Sequence, residues 1–120
     1  MRPDEADAAR LWDMLTYAEE IRETLSGVTF QQYLANKERR LATERRLEII
    51  GEAARNVSLA YREAHPEVPW RRIVGLRHVL AHEYGEVRQE TVFGVVREHI
   101  PALIDALRAL TPPAPPANED

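Results

Sequence analysis

An all-α fold, an antiparallel bundle of four to five helices with short connections, is what this sequence predicts. Three observations predict it. Apolar residues recur at steps of three and four nearly throughout. No segment shows the strict apolar–polar alternation of a half-buried strand. Glycine and proline fall between the periodic segments, where helix ends belong.

Taken in order, the first stripe is Leu11, Leu15, Ala18, Ile21 and Leu25, with Gly27 following as a stop signal. Thr29 is placed to cap a short helix through "FQQYLAN". A long helix is expected from about Glu38 to Glu63 on Leu47, Ile50, Ala54, Val57 and Tyr61. Ile49, Ala53 and Ala60 give that helix a second apolar flank, so it should touch more than one neighbour. "HPEVP" ends it, because Pro66 and Pro69 lack the N–H donor and disfavour helix before them. The next helix should run from Trp70 to about Tyr84, capped by Gly85. The last pattern, about Glu90 to Leu110, uses Val92, Val96, Ile100, Leu103, Leu107 and Leu110. Pro101 inside it implies a kink or a fresh start. Residues 1–110 therefore read as one helical domain, and "TPPAPPANED", residues 111–120, as a disordered Pro-rich acidic tail.

The 120 residues include no cysteine, which excludes disulfide and thiolate chemistry and fits a cytoplasmic setting. No apolar stretch has the length of a membrane span, and the polar, acidic start "MRPDEADAAR" is unlike a signal peptide. The net charge of −4 argues against a protein basic all over. The charge is nevertheless uneven: Lys37 to Arg77 holds ten Lys or Arg against six Glu. A basic middle can attract phosphate locally, or can be a solvated face of paired charges.

The chemistry-bearing residues gather in "LRHVLAHEYGEV", residues 76–87. With Ile73 at zero and 100° per residue, Trp70, Leu76, Leu80 and Tyr84 fall within about 60° of the centre of one face. Arg77 falls at about 40°, near the middle of that apolar face, while His78 and His82 lie near 140° and 180°. A guanidinium stays charged and must meet a carboxylate, a carbonyl, an anion or a wet interface. Three chemistries are open. Histidine can move protons to and from a ribose 2′-hydroxyl and a leaving 5′-oxygen, while arginine holds the phosphate; this cuts RNA with no metal or cofactor. His78-x-x-x-His82 could begin a metal site, but it is not HExxH and no third ligand lies near. Alternatively His82 caps the helix C-terminus, Arg77 pairs with a buried Glu, and Tyr84 is a half-buried core aromatic. Trp70 and Tyr61 read as core; His65 and His99 read as surface or structural.

"RRLEIIGEAARNVS", "HPEVPWRRIVGLRHVLAHEYGEV" and "VREHIPAL" together resemble the HepT-like toxin family of the HEPN superfamily, over roughly residues 4–110. The most specific element is Arg-x4-His-x-Tyr, met by Arg77, His82 and Tyr84. Support comes from the "EIIGEA" helix, the P-x-x-P-W turn and the Ile-Pro of the last helix. The resemblance implies a HEPN-type bundle that forms a homodimer with the motif lining a cleft at the interface. It implies a metal-independent endoribonuclease acting as the toxin of a toxin–antitoxin pair. Its implied partner is an MNT-type nucleotidyltransferase antitoxin that adds AMP to the motif tyrosine. Carried over by residue, Arg77 and His82 become the catalytic pair and Tyr84 the AMPylation target. His78 stands directly after the arginine, where many members carry another polar residue, often Asn; it becomes a substrate-binding candidate. The rival expectation is a non-catalytic helical module that binds a nucleotide, RNA or the transferase through the same cleft.

Overall fold

A computed structural model describes residues 2–80 and 87–113. Eight helices and no strand occur among them. They are α1 (Glu5–Leu25), α2 (Phe30–Ala35), α3 (Lys37–Arg55), α4 (Leu59–Ala64), α5 (Trp70–Val74), α6 (Leu76–Val79), α7 (Gln89–Glu98) and α8 (Ile100–Leu110). The fold is thus the expected all-α bundle, with its longer periodic segments divided into more helices than expected.

The first helix follows the sequence closely. Asp4 accepts from the Asp7 N–H at 2.7 Å and starts α1. Of the expected stripe Leu11, Ala18, Ile21 and Leu25 are buried, while Leu15 is only partly buried and Met14 takes the enclosed place beside it. Gly27 then turns the chain with φ +72°, a conformation that costs a side-chain-bearing residue strain. Thr29 and Gln32 form a reciprocal capping box: the Gln32 N–H donates to Thr29 Oγ1 at 3.1 Å, and the Thr29 N–H donates to Gln32 Oε1 at 3.0 Å. The cap brings Tyr33 into the core, where its ring lies 5.2 Å from that of Phe93.

The expected single helix over residues 38–63 is corrected to two. α3 ends at Arg55, and α4 begins at Leu59. The Asn56 side chain turns back to the Glu52 carbonyl at 2.9 Å, and Ser58 Oγ caps α4 by accepting from the Tyr61 N–H. Asp7 of α1 locks the corner. Its Oδ1 accepts from the Ser58 N–H at 2.8 Å and its Oδ2 from the Ser58 hydroxyl at 2.6 Å. Leu47, Ile50, Ala54, Val57 and Tyr61 are nonetheless all buried. The stripe is continuous in space although the backbone is not, so periodicity alone passes over the break.

The last pattern divides at His99, and Pro101 sits in the first turn of α8, where its missing N–H has no intrahelical partner to lose. α3 is the central element and packs against α1, α2, α5 and α6; α1 lies between α3 and α8, and α7 packs on α8. Leu11, Met14, Ile21, Leu47, Ile50, Ile104 and Leu107 are fully enclosed where these helices meet. Each such side chain contributes about 1.5–3 kcal/mol through burial. No helix among the described residues is long and apolar enough to cross a membrane.

Candidate functional site

The segment that carries the candidate residues is hung on α3 by its apolar side. Trp70 opens it: the indole N–H donates to the His65 carbonyl at 2.8 Å, and the ring meets Tyr61 edge-on at 6.4 Å. His65 ends α4, with its ring 4.5 Å from that of Tyr61 and its Nδ1 3.0 Å from the Glu67 carboxylate. That hydrogen bond holds the Glu67 carboxyl below its ordinary pKa. Burial pushes the Tyr61 phenol up, with Glu67 and Asp7 adding to the effect.

Ile73 and Leu76 are buried against α3 where Gly51 faces them. A Cβ on Gly51 would stand 3.1 Å from the Ile73 carbonyl oxygen and 3.7 Å from Leu76 Cβ. The bare glycine is what lets α5 and α6 come this close. The helical pattern alone assigns no role to the glycine of "EIIGEA". A glycine inside a helical stripe, costing about 1 kcal/mol in propensity, is the available signal for close backbone approach.

The single helix expected from Trp70 to Tyr84 is instead interrupted at Gly75. α5 ends at Gly75, whose φ of −73° and ψ of −4° make a turn rather than a continuing α-helix, and α6 runs only from Leu76 to Val79. This resets the angular reckoning. Leu76 takes the inward position, and Arg77, expected near the centre of the apolar face, is exposed. No hydrogen bond or ion pair joins Arg77 to any described residue, so the expected alternative of a buried Glu partner is not met among them. His78 is also exposed. His82, Tyr84 and Gly85 lie outside the described residues.

Beyond the motif the chain returns to α3. Val87 packs against the core, and Gln89 begins α7. The Gln89 side chain accepts from the Tyr33 hydroxyl at 2.6 Å and donates to Glu44 Oε2 at 3.0 Å. Burial, reinforced by the Glu44 carboxylate and opposed by Arg40, pushes the Tyr33 phenol well above its ordinary pKa, so it remains a donor. Glu44 and Gly51 are seven residues apart on one helix, about 10 Å along its axis. The two flanks of the motif are therefore fixed to the same rigid element. Sequence reasoning misses this part-buried relay, because its three members are scattered along the chain.

Two groups of arginine in the basic middle of the chain differ in their partners. Arg45, Arg46 and Arg55 on α3 pair with Glu48, Glu20 and Glu52. Among the described residues Arg71 and Arg77 have no carboxylate partner, and Arg72 reaches only the ring of His99, at 3.4 Å. The paired-face expectation holds for the first set and fails for the second. An exposed, uncompensated guanidinium next to a fixed helical scaffold can receive a phosphate oxygen in a charge-assisted hydrogen bond.

Comparison with known proteins shows the family of the chain. Residues 14–110 match the family described as Ribonuclease HepT-like. A protein of Methanocaldococcus jannaschii, provisionally named an RNase, is 37% identical over 95 residues, covering 79% of this chain and 87% of the relative. A protein of Thermococcus cleftensis, provisionally named ribonuclease HepT, is 37% identical over 93 residues, covering 78% of this chain and 84% of its own length. A third, from Caldanaerobacter subterraneus and provisionally named an RNase, is 36% identical over 90 residues, with coverages of 75% and 80%. No solved structure gives a significant match. With its HEPN-type helical bundle and a match over nearly all of that bundle, the chain belongs to the HepT-like ribonuclease family.

Proposed function

We propose that this protein is the toxin of a toxin–antitoxin pair and acts as a metal-independent endoribonuclease. The observation that carries the proposal is Arg77, exposed and without a carboxylate partner among the described residues, on a short helix clamped to α3. Family membership and the relatives' names support the same reading. In this mechanism Arg77 holds the scissile phosphate and stabilises the charge that builds on its oxygens. The ribose 2′-oxygen attacks phosphorus, its proton passes to a base, and the 5′-oxygen leaves with a proton from an acid. His82 supplies the imidazole for proton transfer, and His78 contacts substrate. The products are a 2′,3′-cyclic phosphate and a 5′-hydroxyl.

The protein works as a homodimer in this proposal, with the motif facing a cleft between twin chains. Its partner is an MNT-type nucleotidyltransferase that silences it. The Tyr84 hydroxyl attacks the α-phosphorus of ATP, loses its proton and takes on AMP, and pyrophosphate leaves. The added phosphate brings negative charge and bulk to a site built for a phosphate, so RNA is excluded.

The test is product analysis. The purified chain, incubated with RNA and a chelator, should give fragments ending in a 2′,3′-cyclic phosphate. Incubation with the partner and ATP should add the mass of AMP to the peptide holding Tyr84 and stop cleavage. Tight binding that leaves the RNA intact would overturn the enzyme in favour of the binding module.

A further inference from the structure

α5 and α6 repeat one pattern. Trp70-Arg71-Arg72-Ile73-Val74 and Leu76-Arg77-His78-Val79-Leu80 both read apolar, basic, basic, apolar, apolar. The structure turns the two halves the same way, although Val79, the counterpart of the buried Ile73, is only half-buried. Trp70, Ile73 and Leu76 are buried, while Arg71, Arg72, Arg77 and His78 are exposed. Arg77 stands six positions after Arg71, a helical advance of about 9 Å. Arginine side chains are long enough to serve adjacent groups of an extended polyanion across such a span.

Two independent observations set this strip apart from an ordinary charged surface. First, no Asp or Glu occurs from Val68 to His82, in a chain with 20 acids among 120 residues. Arg45 and Arg55 of α3, by contrast, are paired with Glu48 and Glu52. Second, Arg72 is held from another element: its guanidinium reaches Nδ1 of His99, between α7 and α8, at 3.4 Å. His99 Nε2 in turn lies 4.0 Å from the Glu98 carboxylate. The ring acts on Arg72 as a positioning residue, limiting where a flexible side chain can point before any ligand arrives.

We propose that Arg71 and Arg72 grip a phosphate of the RNA strand next to the one held by Arg77, giving the protein a phosphate-binding strip along α5 and α6. The proposal rests on the reading of this protein as one that acts on RNA. It adds to that reading an affinity site outside the Arg-x4-His motif. The chemistry required is that of a phosphodiester backbone, because the strip offers cations and no flat apolar platform for bases: its aromatic member, Trp70, is buried and committed to His65 and Tyr61.

The test is equilibrium binding of the full chain to a single-stranded RNA of about twelve nucleotides. Its 2′-hydroxyls are methylated so that it cannot be cut. Affinity is measured as a function of salt for wild type, the double variant Arg71→Ala/Arg72→Ala, its Arg71→Lys/Arg72→Lys counterpart, and Arg45→Ala/Arg55→Ala. Removing one phosphate-neutralising cation flattens the plot of log affinity against log salt by about 0.7. The first double variant should therefore lose roughly one such step and bind about tenfold or more weakly at low salt. The lysine pair should keep most of the slope, and the Arg45/Arg55 pair should match wild type. Because the RNA is uncleavable, the result does not depend on catalysis. If wild type cuts no natural RNA yet the slope shift is found, the ribonuclease reading fails and the strip stands. An alanine pair that binds with wild-type affinity and slope overturns the strip, whatever the cleavage assay gives. So does an Arg45/Arg55 pair that loses as much.

Discussion

Substituting Gly51 tests whether the motif segment is clamped as closely to α3 as the structure shows. An alanine Cβ at this position would meet the Ile73 carbonyl oxygen at 3.1 Å, about 0.3 Å inside the 3.4 Å at which ordinary contact begins. The obstacle is backbone, not the tip of a flexible side chain, so relief requires moving α5 outward as a unit. That motion loosens Trp70, Ile73 and Leu76, all buried in the core. Overpacking of this kind costs about 1–3 kcal/mol. Alanine also gains about 0.8–1 kcal/mol over glycine inside a helix. Gly51→Ala should therefore lose between about zero and 2 kcal/mol, and Gly51→Val, with two further carbons in the same place, should lose more. Urea unfolding measures both, a shift in midpoint at constant slope reporting stability alone. Cleavage per folded molecule should fall in both variants, because Arg77 rides on the displaced segment. If Gly51→Ala is more stable by the full helix-propensity gain and equally active, the close approach is wrong.

Three further predictions concern the fold and the reaction. Asp7→Ala removes both bonds to Ser58 and strands a backbone N–H at the α3–α4 corner; chemical denaturation should show a loss of about 2–4 kcal/mol, and a loss near zero would mean the corner holds without it. Tyr33→Phe should cost about 1 kcal/mol at neutral pH through the lost bond to Gln89. Because the folded-state pKa of Tyr33 is raised above its unfolded value, its contribution is complete below about pH 10 and declines as pH rises beyond that; alkaline unfolding curves should be flatter in Tyr33→Phe, and identical curves would contradict the buried phenol. Finally, if imidazoles supply both base and acid, the cleavage rate should pass through a maximum near neutrality, and a flat rate from about pH 5 to 9 would exclude histidine catalysis.

Local signals are the legible ones. Gly27 reads as a stop and Thr29 as a cap because each acts within three residues of itself, and Pro101 marks a restart for the same reason. The breaks at Asn56–Ser58 and Gly75 are not legible from periodicity, since Leu47 to Tyr61 and Trp70 to Leu76 keep their apolar stripes buried across them. At Asn56–Ser58 the corner depends on Asp7, 51 residues from Ser58 in sequence, and no window along the chain contains both. The Gly75 break carries the larger consequence: it moves Arg77 from the expected buried face to the exterior. The buried-arginine difficulty raised by a straight helix thus disappears. The Tyr33–Gln89–Glu44 relay leaves no local trace because tertiary packing, not composition, gives its members their role.

The central claim is that Arg77 and His82 together break a phosphodiester bond in RNA. Single-turnover cleavage of a labelled RNA by wild type, Arg77→Ala and His82→Ala, compared at equal folded concentration, tests it most directly. Arg77 is exposed and forms no hydrogen bond or ion pair with a described residue, so Arg77→Ala should melt with wild type while cutting about 10² to 10³ times more slowly. His82→Ala should fall by about 10² to 10⁴. Either variant cutting at the wild-type rate would contradict the claim.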